Sequence, residues 1–390
     1  LYERVGKIQE ADDLYRSILD GRGKEDPVWR AKALGNLALM AESRGDWAEA
    51  EAGIIEAMGI FEAEGDQVSV AKALINLGRL GQSSSSLDKS ERYSKRGLAL
   101  SQELNLAKGE ATALANLGYV EMARDNYDGA RDYFAQAEVI MDQEGMETEK
   151  GLIYINLTRM LSIEDKADEA EIMARKALAV AKKMDARLIE AGAYNHLGIL
   201  ARDRGDFSEA EKYQTMAIEI FEKLERRKEL EQEYRSYAMT AERQGDLAEA
   251  AVRYEKSLEI ANTLEAPKRQ GDTLVVLARL YLDQNDIETA RARLDDAADK
   301  FVSIEDSYGM GDVTYLYGQS LLFERNVQAA VDSYAQAAEH YMAGEAPMMA
   351  TQMMLRVSEV AFQQGDPVVA ETALTEALSL MPEAAPKDMR

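Results

Sequence analysis

The stretch ALGNLALMAESRGDWAEAEA, residues 33–52, decides the reading of this chain. Its apolar residues fall at helical rather than strand spacing, Gly45-Asp46 interrupts them, and helical spacing resumes at Ile54, Ala57, Met58 and Phe61. Gly and Asp tolerate the backbone of a tight turn, and an Asp carboxylate there accepts the free amides of the next helix. The segment therefore predicts a helical hairpin. Forty residues on, ALINLGRLGQ (73–82) repeats its first half, followed by ALANLGYVEM (113–122) and YINLTRM (154–160). An asparagine keeps its phase through all four, as Asn36, Asn76, Asn116 and Asn156, although the chain has only ten asparagines.

The period extends over the whole chain. Alanine recurs at 11, 50, 130, 170, 210, 250, 290, 330 and 370, with Ser90 in the remaining slot, which makes ten units in register. Turn signals precede these alanines at Asp125-Asn126, Gly205-Asp206, Gly245-Asp246, Asn285-Asp286 and Gly365-Asp366. A repeat of this kind grows by stacking rather than by adding separate cores, so 390 residues do not imply several domains. The expectation is one array over 1–382, its first repeat incomplete (1–21), and a short tail at 383–390. The chain opens on Leu1 in mid-repeat, which reads as a fragment or processed form.

Composition narrows the functions. No apolar run approaches the ~18 residues of a spanning helix, which excludes membrane insertion by a helix. A net charge of −25 lacks the basic footprint that broad nucleic-acid or anionic-membrane binding requires. Without cysteine there are no disulfides, thiol catalysis or cysteine metal sites, and a Cys-free chain suits cytosol or periplasm alike. The sequence has no phosphate-cradling glycine loop, no HExxH and no nucleophile elbow, so the expectation is a protein without catalysis, metal or cofactor.

Twelve residues before each alanine a small residue (Ala38, Gly78, Gly118, Gly198, Ala238, Ala278, Gly318) follows a large apolar one, and seven after it comes a second small residue (Ala57, Gly97, Ala137, Ala177, Ala217, Ala297, Ala337, Ala377). This pattern resembles the tetratricopeptide repeat over essentially the whole chain. The long period is similar to the extended repeats of kinesin light chains, the Leu-Gly-Asn spindle-orientation adaptor and Rap-type bacterial peptide receptors. The resemblance implies an all-α fold, an α-solenoid of about ten helix-turn-helix repeats in a right-handed superhelix, whose first helices line a concave groove. It also implies which positions point inward: the asparagine position, those one and four before it, and those three, six and seven after it.

Read through that stripe, the peptide-binding candidates are Lys32, Asn36, Lys72, Asn76, Arg79, Asn116, Tyr119, Asn156, Arg159, Asn195 and His196. Over the first four units the stripe carries four basic residues and one acid, against the charge of the chain. A carboxamide donates and accepts at once, so an asparagine ladder grips a peptide main chain without reading its side chains, each bond giving about 0.5–1.5 kcal/mol. The same asparagines would equally serve to bridge neighbouring helices. His196 takes the asparagine's place in the fifth unit, as a pH-sensitive contact or as a satisfied polar substitute.

Later units place Tyr315, Leu316, Leu322, Phe323, Leu355 and Phe362 on the stripe, either as an apolar pocket or buried by tighter coiling. Met354 has a helix-packing phase. GQSSSSLDKS (81–90) predicts that the second unit's first helix ends early in a loop. The functional expectation is a scaffold that clamps a protein or peptide segment. Two alternatives stand beside it: a peptide-sensing part of a larger regulator, and a structural protein that forms homo-oligomers through its uncovered terminal repeats.

Overall fold

The computed structural model describes residues 8–380 apart from Gly45 and Ser85. Expectations that concern those two residues, residues 1–7 or the 383–390 tail lie outside it. The described residues form nineteen α-helices and no strand. Contacts group the chain into two compact units, Leu1–Glu225 and Arg226–Arg390.

The first unit contains α1 (Ile8–Asp20), α2 (Pro27–Arg44), α3 (Trp47–Ala63), α4 (Gln67–Ser83), α5 (Leu87–Glu103), α6 (Ala107–Ala123), α7 (Tyr127–Glu144), α8 (Glu147–Ile163), α9 (Ala167–Met184), α10 (Arg187–Asp203) and α11 (Phe207–Lys223). The second contains α12 (Arg227–Gln244), α13 (Leu247–Thr263), α14 (Pro267–Asp283), α15 (Ile287–Ser303), α16 (Ser307–Phe323), α17 (Val327–Ala343), α18 (Pro347–Gln363) and α19 (Pro367–Leu380). Helices of 17 or 18 residues joined by links of two or three give the forty-residue period, longer than a repeat of shorter helices would allow. Each unit is an α-solenoid of stacked hairpins.

The turns form where the sequence signals them. Gly205, Gly245 and Gly365 sit at φ of 85°, 89° and 79°, and Asp125 and Asn285 at 60° and 61°. Each is followed by a residue whose side chain accepts an N–H of the next first turn: Asp206 from Glu209, Asp246 from Glu249, Asn126 from Gly129, Asp286 from Thr289 and Asp366 from Val369. The recurring alanines are buried, and Ser90 fills its slot as completely. The small position twelve residues earlier is where two helices cross: a Cβ on Gly118 would stand 2.7 Å from the Phe134 ring, and one on Gly318 2.5 Å from that of Tyr334.

One expectation about the backbone is overturned. α4 does not end early but runs to Ser83, as long as its neighbours. Ser84 closes the helix with its N–H on the Leu80 carbonyl, and Gly81 is the crossing point with α5, where a Cβ would meet the Ser90 backbone at 2.7 Å. Glycine and serine here serve close packing rather than a break.

Candidate functional site

Within the first unit, successive first helices touch one another, α4 with α6, α6 with α8 and α8 with α10, while each second helix packs on the first helix of its own hairpin and, less extensively, on that of the next. The first helices thus form the crowded inner side of this stack, and their stripe is the candidate site. The sequence-predicted residues on it have unequal fates.

On α2, Lys32 is exposed and lies over the Trp29 ring at 5.9 Å, and Asn36 donates to the Lys32 carbonyl of its own helix at 2.9 Å. On α4, Lys72 and Asn76 are exposed, and Asn76 has no hydrogen bond among the described residues. Lys72 and Lys32 both act on Asp66, whose carboxyl is held below the usual range first by the Ser69 hydroxyl and N–H and then by these lysines. Arg79 departs from the expectation of a free cation: its guanidinium forms a fork on Glu42 of α2, with contacts of 2.5 and 2.6 Å.

Asn116 on α6 is the clearest correction. It is only 6% exposed, its amide donates to the Ile75 carbonyl at 3.1 Å, and its Oδ1 accepts from Gln82 at 3.0 Å. It bridges α4 and α6, with its amide sealed in the seam between them. Thr112 on the same stripe donates to the Lys108 carbonyl, and Tyr119 is half-buried against the core around Phe134 and Met122.

α8 is different. Leu152 and Ile163 are 52% and 57% exposed, and between them Asn156 is half-buried with no hydrogen bond and Arg159 is exposed with no ion pair among the described residues. On α10, Asn195 and His196 are half-buried. Burial first, and the nearby charge of Arg159 second, push the His196 imidazole down to about 4, so it stays neutral at physiological pH. The pH-sensitive alternative therefore has no titration in that range in the unbound protein.

Sequence reasoning missed the residue that separates these cases. Glu42 pairs with Arg79 and Glu242 with Arg279, each 37 positions apart, and Gln82 reaches Asn116 at 34. The residue at the corresponding place before both Arg159 and Asn156 is Met122, which is buried and can neither pair nor accept as a carboxylate would. The repeated 37-residue acid-to-arginine spacing was a readable signal.

Family models described as tetratricopeptide repeat match residues 29–103, 111–137, 191–225, 229–301 and 275–347. The chain belongs to the tetratricopeptide-repeat family. No curated protein matches its sequence. Among solved structures, this tetratricopeptide-repeat chain is similar to a signal transduction ATPase with numerous domains and a tetratricopeptide repeat sensor from Pyrococcus horikoshii (TM-score 0.66, 16% identity, 87% of this chain and 52% of that one). It spans about half the length of that protein. It is also similar to the apo form of RapI (0.63, 12%, 90% and 97%) and to the apo form of the quorum sensor NprR from B. thuringiensis (0.60, 12%, 87% and 98%). At these identities the likeness is one of fold.

In the second unit the stripe of this tetratricopeptide-repeat chain is mixed. Leu316 is buried, Tyr315, Leu322 and Leu355 are half-buried, and Phe323 and Phe362 stand exposed, while Met354, off the stripe, is buried in the core as its phase predicted. Burial thus accounts for part of the apolar stripe and leaves two open rings. Among the described residues no three His, Asp or Glu side chains cluster to hold a metal, and no helix is long and apolar enough to cross a membrane.

Proposed function

We propose that the first unit is a non-enzymatic binding module whose inner stripe holds a segment of another protein. The observation that carries this reading is that Asn76 and Asn156, two of the four in-phase asparagines, stand on the stripe with their amides unengaged among the described residues. An open carboxamide can meet both the N–H and the C=O of an extended chain. The cations Lys32, Lys72 and Arg159 beside them, in a chain of charge −25, favour a segment with acidic groups. Asn116 and Arg79 are positioning residues of the wall in this reading, not contacts.

The test is a peptide array probed with the parent chain and with the double variant Asn76→Ala, Asn156→Ala. Capture that falls while helicity is unchanged supports the groove, and capture that is unchanged removes it. A second reading, a sensor whose ligand alters an attached output, draws on the P. horikoshii protein, with its tetratricopeptide repeat sensor, and the quorum sensor NprR, which share this fold. It calls for the same groove and differs in what adjoins it.

A further inference from the structure

Four groups fall on one line of α8, namely Leu152, Asn156, Arg159 and Ile163, at steps of four, three and four residues, and all four are open to different degrees. Among the described residues, this line sets an unengaged amide and an unpaired guanidinium between two open apolar side chains. On α4 Arg79 is tied to Glu42, on α2 Asn36 bonds its own helix, and α6 has Thr112 and Asn116 bonded. Arg159 escapes because the acid that pairs with Arg79 and Arg279 is replaced by Met122. A guanidinium exposed without an ion-pair partner among the described residues, in a chain with 71 acidic residues, leaves a demand for a carboxylate unmet. The two large apolar side chains on either side of it lie half in water, where a partner's apolar groups would cover them.

Resting on the groove reading above, we infer that α8 is the docking line for a protein segment carrying one acidic side chain flanked by two apolar ones. The helix sets the spacing. Leu152 and Arg159 are about 10 Å apart along the axis and Arg159 and Ile163 about 6 Å, at 1.5 Å per residue. An extended segment advances about 3.3 Å per residue. Lying along α8, it places its acid about three residues from one apolar side chain and about two from the other. Asn156, between the leucine and the arginine, bonds the segment's main chain at that point. His196 on α10 lies near enough to Arg159 to feel its charge, so the arriving carboxylate passes close to the imidazole as well.

The test is a selection of random twelve-residue peptides displayed on phage against the full chain, followed by titration of the selected peptides as synthetic, end-capped molecules. The expected consensus is an Asp or Glu with apolar residues about three positions to one side and two to the other. Arg159→Gln should weaken these peptides by about tenfold or more, as loss of a charged hydrogen bond does. Arg159→Glu should turn the selected acid into a lysine. The chain has two histidines, His196 and His340, so their ring signals in NMR locate the ligand: His196 should shift on titration and His340 on α17 should not. Peptides without an acid, or peptides that bind Arg159→Gln as tightly as the parent, overturn the α8 line. If the same peptides then fail on Asn76→Ala, the groove stands without it. A selection that yields no binder overturns both.

Discussion

Helices α6 and α8 are consecutive members of one wall and carry asparagine at the same repeat position, yet Asn116 is sealed and Asn156 is open. Two local causes separate them. α6 lies against α4 over more of its length than against α8. The α4 and α5 helices are lined with small residues here: Gly78 sits so close to Asn116 that an added Cβ would be 3.3 Å from its Nδ2, and Gly81 and Gly97 bring the neighbouring backbones together. The second cause is chemical. Gln82 has a donor for Asn116, whereas Met122, one repeat later, offers none to Asn156 and no carboxylate to Arg159. Repeat phase therefore fixes the direction of a side chain, and the residue 34 or 37 positions earlier decides whether it is already occupied.

The comparison can be tested through stability first. Asn116→Ala removes the bridge to the Ile75 carbonyl and to the Gln82 amide across the α4–α6 seam, and should cost about 3 kcal/mol, the upper end for two lost hydrogen bonds. Urea unfolding followed by circular dichroism reads this directly. A loss below about 0.5 kcal/mol would mean that α6 is as open as α8.

Next in size is the pH response of the α8–α10 side. His196 titrates at about 4 when folded and near the ordinary 6.5 when unfolded, so between these values the unfolded chain binds more protons. The stabilising contribution is complete above pH 6.5 and is lost as pH falls toward 4. At pH 5 the loss amounts to about 2 kcal/mol. Comparing urea midpoints at pH 7 and pH 5 for the parent and for His196→Gln should show this component only in the parent.

Smaller again, Gln82→Met copies the Met122 situation onto Asn116 and should cost about 1 kcal/mol, one hydrogen bond's worth. Asn156→Ala should change stability by no more than about 0.5 kcal/mol, as expected for an unengaged side chain at a partly open site. Glu42→Met is the converse experiment: it releases Arg79 and should let α4 take acidic peptides that the parent binds only at α8.

Much of the fold was legible because each hairpin repeats its own instructions. The alanine every forty residues, the Gly-Asp and Asn-Asp turns and the glycines facing Phe134 and Tyr334 are local or fixed-period signals, and they mark the buried contacts and chain reversals seen. GQSSSSLDKS misled because small residues signal both loops and close packing, and Ser90 facing Gly81 makes it the latter. The site was half legible. The stripe could be placed by phase, but Arg79 and Asn116 were lost to partners on the preceding hairpin, and those contacts depend on how closely two particular helices approach.

The inner wall holds some amides closed and others ready. Solvent exchange of the asparagine side-chain amide protons, resolved by NMR in the unbound chain and again with a selected peptide, tests it most directly. Asn116 should exchange slowly throughout, while Asn76 and Asn156 exchange fast alone and Asn156 slows when the peptide is added. Equal protection of all three amides in the unbound chain would contradict it.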